Sequence, residues 1–127
     1  MKLLVVDDSS VIRKIIKSAA DMLELEIEEA EDGIEALEKL SYCYDEISLI
    51  LLDWNMPEMD GYEVLIEIKN NEIYKDIPIM MVTTEGQQSS IVAAIRAGAD
   101  NYLRKPFTSE ELESKILECL EKGAEKR

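Results

Sequence analysis

Leu49-Ile50-Leu51-Leu52-Asp53-Trp54-Asn55-Met56-Pro57-Glu58-Met59-Asp60-Gly61 decides the fold, because an unbroken apolar run stops on an acid and gives way to a turn-rich loop. Leu49 to Leu52 leave no polar face, so they form a strand covered on both sides, as in a parallel sheet. The same shape recurs on either side. Leu3 to Val6 runs into Asp7-Asp8, and Ile77 to Val82, interrupted near its start by Pro78, runs into Thr83-Thr84. Leu25 to Ala30 and Asn101 to Arg104 mix apolar with charged residues, which suits the two edges of a sheet. The second of these is followed at once by Lys105-Pro106.

Between the strands lie stretches with helical spacing: Val11, Ile12, Ile15, Ile16, Ala19 and Leu23, then Ile34, Leu37 and Leu40, then Val64, Leu65 and Ile68. Ile91, Val92, Ala94 and Ile95 make a fourth, stopped by Gly98, and Leu112, Ile116, Leu117 and Leu120 a fifth. Asp32 with Glu35, and Thr108 with Glu111, have the spacing at which side-chain oxygens satisfy free amides at a helix start. The βα unit therefore repeats five times, which predicts an α/β fold: an open, doubly wound parallel sheet with right-handed crossovers and helices on both faces. Residues 1–122 are expected to form one domain, and 123–127 a short frayed tail.

At 127 residues the chain suits one domain with a proper core. Its net charge of -14 opposes nucleic acid and anionic membrane as partners. Much of the acid lies between Asp21 and Glu46, where Lys39 is the only cation, a pattern expected of a solvated face. The opening Met1-Lys2-Leu3-Leu4-Val5-Val6-Asp7-Asp8 is too short an apolar run for a signal or a membrane span, so a cytoplasmic protein is expected. Cys43 and Cys119 lack CxxC spacing and the chain has no histidine, which removes zinc sites and histidine-dependent nucleophiles. Met22, Met56, Met59, Met80 and Met81 are expected in core or loop packing, and Trp54 as a partly exposed neighbour of Asp53. The loop after Asp53 has no GxxxxGK pattern and so no P-loop.

In such a sheet the binding crevice lies beyond the carboxyl ends of the strands. Asp7, Asp8, Asp53, Thr83, Thr84 and Lys105 all arrive there. One strand-end aspartate is usually a turn or a cap, and a lone lysine a surface group. Delivered together from four strands, they form the set that phosphoryl transfer needs. Crowded carboxylates raise one another's pKa unless a cation neutralises them, and Mg2+ takes oxygen ligands while leaving positions for phosphate oxygens. A carboxylate can then attack phosphorus, with metal and lysine balancing the charge on the transferring oxygens.

Paired acids after the first strand, Asp53 after the third, Thr83 after the fourth and Lys105-Pro106 after the fifth resemble the receiver domain of bacterial response regulators. Leu52 to Gly61 is similar to the CheY-like, chemotaxis type of single-domain regulator. That resemblance implies strand order 2-1-3-4-5. It also implies Asp53 as phosphoacceptor, and Mg2+ held by Asp8, Asp53 and the backbone carbonyl of Asn55, with Asp7 acting mainly through a metal-bound water. Thr83 and Lys105 would bind phosphoryl oxygens, and the Lys105-Pro106 bond would be cis. Thr83 and Tyr102 would form the switch, while Asn55, Glu85 and Thr84 would tune rates. Thr84 departs from the small residue common at its position, which leaves the lifetime of the phosphoryl group open.

The resemblance further implies a switch without external turnover. Its expected partners are a histidine kinase as phosphodonor, a target such as a flagellar motor switch component, and a phosphatase; a monomer is expected. Ile91, Ile95, Ala99, Tyr102 and Lys115 are the candidate contacts for the target. Two other readings fit the same residues: the receiver fragment of a longer DNA-binding regulator, and an Mg2+-dependent phosphatase working through an aspartyl intermediate.

Overall fold

Strands and helices alternate as β1 (Lys2–Val6), α1 (Ser10–Met22), β2 (Glu26–Ala30), α2 (Gly33–Cys43), β3 (Ile47–Leu52), α3 (Gly61–Lys69), β4 (Ile79–Thr83), α4 (Gln88–Arg96), β5 (Asn101–Arg104) and α5 (Ser109–Lys126), with a 3-10 turn at Tyr44–Glu46. The computed structural model describes residues 1–126, with side chains as far as Gly123. All strand pairs are parallel and the order is β2-β1-β3-β4-β5, as expected. Pro78, lacking an amide hydrogen, stands just outside β4 and offers its carbonyl to the Ile50 amide at 2.9 Å.

Alternate side chains of the central strands feed two cores. Leu4, Val6, Ile50, Leu52, Ile79 and Met81 pack under α2, α3 and α4, while Leu3, Val5, Leu49, Leu51, Met80 and Val82 pack under α1 and α5. Burying each such side chain contributes about 1.5–3 kcal/mol. Cys43 sits in the first core and Cys119 in the second, both as free thiols. Each is held above its usual pKa by burial, Cys119 at about 11.

Capping follows the expected spacing. Asp32 accepts from the Glu35 amide at 2.8 Å, and Thr108 and Glu111 exchange bonds of 3.1 and 3.2 Å. Asp60 caps α3 in the same manner through the Glu63 amide at 2.9 Å.

The helix faces are narrower than expected. Val11, Ile15, Ile34 and Leu117 point to solvent, because the sheet is met by Ile16, Ala19 and Ala20 in α1, by Ala36, Leu40 and Cys43 in α2, and by Leu112, Ile116 and Cys119 in α5. Met22, expected in packing, is 77 % exposed at the end of α1. The helix α5 also continues past the expected boundary at 122 as far as Lys126, with Gly123 buried against Pro78. Ala124, Glu125 and Lys126 all favour helix, which accounts for the extension. Arg127 lies outside the described residues.

Candidate functional site

The sheet's own hydrogen bonding assembles the site. The ladder runs one bond past β1, β3 and β5: the Asp7 amide reaches Ala30 O (3.1 Å), Asp53 reaches Val6 O (2.9 Å), and Lys105 reaches Thr83 O (2.9 Å). Residues from β1, β3, β4 and β5 thus emerge side by side at one rim. Asp7, Asp53 and Thr83 are buried there, whereas Asp8 is exposed.

Lys105 lies between two of the acids, its Nζ 2.7 Å from Asp7 Oδ2 and 3.4 Å from Asp53 Oδ2, and its preceding-proline bond, Lys105-Pro106, is cis. Carboxylate oxygens of Asp7, Asp8 and Asp53 all lie within 4.8 Å of one another. Three carboxylates therefore share the rim, and one ammonium pairs with two of them. Burial pushes the Asp53 carboxyl above its usual pKa and Asp7 adds to this, while Lys105, Thr83 and the Asn55 amide pull it down. Hard oxygen donors with surplus negative charge match what a magnesium ion requires, so these residues fit that metal.

Fixed polar groups surround the acids. Asp7 Oδ1 accepts from the Ser9 amide (2.9 Å), and Asp53 Oδ1 from the Asn55 amide at a long 3.4 Å. Gly61 closes the loop after Asp53, donating to Trp54 O at 2.8 Å, and a Cβ there would lie 2.0 Å from Asp53 O. Only glycine permits that approach. Trp54, half-buried, stacks on Tyr62 with centroids 5.2 Å apart. Across the mouth, Asn55 Nδ2 reaches Thr84 Oγ1 at 3.5 Å, so the extra hydroxyl of Thr84 meets Asn55 directly.

Thr83 and Tyr102 meet through the backbone of Glu85. The Glu85 amide donates to Thr83 Oγ1 (3.2 Å), and the Tyr102 hydroxyl donates to Glu85 O (2.6 Å). Burial first, and Glu85 second, push the Tyr102 hydroxyl up to about 12. Among the candidate contacts, Ile95 is exposed, while Ile91, Tyr102 and Lys115 are half-buried, Lys115 reaching Asn101 Oδ1 at 3.4 Å. Ala99 is corrected: it is 6 % exposed and part of the core beneath α4, because the chain turns inward after Gly98.

Arg13 is the residue that sequence reasoning missed. Its Nη1 donates to Asp7 O at 2.6 Å and its Nε pairs with Glu29 at 2.9 Å, so it ties α1 and β2 to the acidic turn. Its only sequence signal is a cation little more than one helical turn after Asp8.

Comparison with known proteins agrees with this arrangement. Residues 3–117 match the family model for the response regulator receiver domain. The chain is 46% identical to the chemotaxis protein CheY1 of Helicobacter pylori over 117 residues, 91% of this chain and 94% of that protein. It is 44% identical to the chemotaxis protein CheY homolog of Campylobacter jejuni over 125 residues, 98% of this chain and 95% of that protein. Among solved structures, Vibrio cholerae CheY4 superposes with a TM-score of 0.85 at 35% identity, covering 93% of this chain and 97% of that one. A CheY-like receiver domain from Methanospirillum hungatei gives 0.89 at 28% identity, covering 99% and 98%. With the family model covering residues 3–117 and every strand end at the rim, the chain belongs to the response regulator receiver domain family.

Proposed function

We propose that this chain is a phosphorylation-activated switch of a two-component system, taking a phosphoryl group from a histidine kinase on Asp53 and changing its affinity for a protein target. The observation that carries this reading is the charge imbalance at the rim, where Asp7, Asp8 and Asp53 cluster and the Lys105 ammonium pairs with Asp7 and Asp53. The chemotaxis relatives support a chemotaxis role, with a flagellar switch component as the target.

In the step itself, an Asp53 carboxylate oxygen attacks phosphorus, the P–N bond of phosphohistidine breaks, and the imidazole leaves with the electron pair. Asp7, Asp8, Asp53 and the Asn55 carbonyl would hold Mg2+, which when bound neutralises charge on the acids and on the phosphoryl oxygens. Lys105 is pre-aimed at Asp53 and binds a phosphoryl oxygen. The Thr83 hydroxyl donates to another, and its movement toward the site draws on the bond it accepts from the Glu85 amide. Because Tyr102 holds the carbonyl of that same residue, the loop and the Tyr102 ring move together. Two new charge-assisted bonds give about 3–6 kcal/mol. Moving a two-state equilibrium from 1:99 to 99:1 takes about 5.5 kcal/mol, so the switch is graded, raising target affinity about 10- to 100-fold. Asn55, Thr84 and Glu85 line the approach and set the rates.

Acetyl phosphate with Mg2+ should add one hydroxylamine-labile phosphoryl group, read by mass spectrometry and absent in Asp53→Asn. Equal labelling of both proteins sinks the assignment. Beryllofluoride should shift amides along α4 and around Tyr102 in wild type, but only near the acids in Thr83→Ala.

A further inference from the structure

Between α3 and α4 runs a trough of about 1000 Å³, walled by Tyr62, Ile66, Val92 and Ala93 and reaching Asn70 and Arg96. Both helices start at the rim that carries Asp53, so their carboxyl ends, with partial negative charge, converge where Asn70 caps α3 and Arg96 ends α4. Ile66 and Val92 are each 37 % exposed, large aliphatic groups that the fold leaves uncovered. The helix α4 is lightly held, with Ala94 its one buried residue and no side-chain cap at its start. Arg96 has no carboxylate partner among the described residues, in a chain of net charge -14. Glu63 and Glu67, one position on from Tyr62 and Ile66, are exposed on the outer shoulder of α3.

We propose that this trough docks an amphipathic helix of a partner protein, antiparallel to α3 and α4, with an acidic first turn on Arg96, aliphatic side chains on Ile66 and Val92, and lysines along Glu63 and Glu67. Antiparallel placement brings the positive amino end of the incoming helix to the negative ends of α3 and α4. Acids in a first turn stabilise the helix that carries them, so one acidic group serves both that helix and Arg96. The nine residues of α3 span about 13 Å, matched by an apolar stripe at i, i+3, i+4 and i+7. An open trough suits a helix better than a small ligand, which needs enclosure. A second copy of this chain would set Glu63 and Glu67 against further acid.

The test is run without Mg2+, so its outcome is independent of the phosphoacceptor reading. The probe is a lactam-stapled peptide of about 12 residues with two glutamates in its first turn, leucines in the stripe and lysines on one flank. Its charge-swapped counterpart carries lysines first. The glutamate-first peptide should change the emission of Trp54, which stacks on Tyr62, and shift amides in α3 and α4 only. Arg96→Glu should weaken it about 10-fold and favour the lysine-first peptide, while Val92→Asp abolishes binding of both with an unchanged circular dichroism spectrum. Equal binding of the two peptides, no saturable binding by either, a preference unmoved by Arg96→Glu, or shifts on another face each overturn the proposal. Concentration-dependent dimerisation lost in Val92→Asp would instead give the trough to a second copy.

Discussion

Two half-buried lysines close opposite ends of β4, in contrasting surroundings. At the amino end, Lys69 donates to the carbonyls of Lys75 (3.2 Å) and Ile77 (2.9 Å) and to Asp100 (3.3 Å), and Asp100 also accepts the Ile79 amide at 2.9 Å. Here the cation meets an anion and backbone oxygens. At the carboxyl end, Lys105 is about as enclosed but pairs with both Asp7 and Asp53, which have Asp8 beside them. Burial alone therefore does not separate a structural lysine from a functional one; the charge balance around it does. A balanced pair holds the chain together, whereas an unbalanced cluster is suited to an incoming cation.

The sharpest way to break this contrast is to remove each lysine and measure urea unfolding with and without Mg2+. Lys69→Met removes the cation from a largely enclosed ion pair with Asp100, so a loss of about 3–5 kcal/mol is expected, the same in both buffers. Mg2+ at about 100 times its dissociation constant should stabilise wild type by about 2.7 kcal/mol and do nothing for Asp8→Ala. Lys105→Met should lose about 1–3 kcal/mol in Mg2+-free buffer and recover most of it when Mg2+ is added. Should Mg2+ rescue Lys69→Met as well, the distinction between the two ends fails.

The smallest effect has the opposite sign. Because the folded protein holds the Asp53 carboxyl above its unfolded pKa, folding is penalised as pH rises past the ordinary carboxylate value, near 3.9. The penalty is complete above the folded pKa. Asp53→Asn should thus be more stable than wild type at neutral pH without Mg2+, by about 0.5–2 kcal/mol, with the advantage shrinking toward pH 4. A destabilised Asp53→Asn would show that Lys105 fully offsets the buried charge.

The same contrast marks what the sequence alone makes readable. Asp53 and Thr83 stand at the ends of apolar runs and Lys105 directly follows a mixed edge strand, so the strand pattern carries them to one rim without any knowledge of contacts. Asp32 and Thr108 reveal their helices through local spacing. Lys69 and Asp100 are 31 positions apart, each ordinary in its own segment, and only the packing of α3 beside β4 makes them a pair. Arg13 reaches Asp7 by a long side chain whose direction no local pattern encodes. Val11, Ile15 and Ile34 mislead for a related reason: helical spacing defines a stripe, but the crossing of helix over sheet selects which edge of it is covered.

The placement of Cys43 under one helical layer and Cys119 under the other gives the protein two internal clocks. Neither thiol reacts until its own layer opens, so the two modification rates time the breathing of the two halves separately, with no label added to the surface. Loosening of α2, α3 and α4 would register at Cys43 and loosening of α1 and α5 at Cys119, whereas movement of β4, which lines both cores, would register at each.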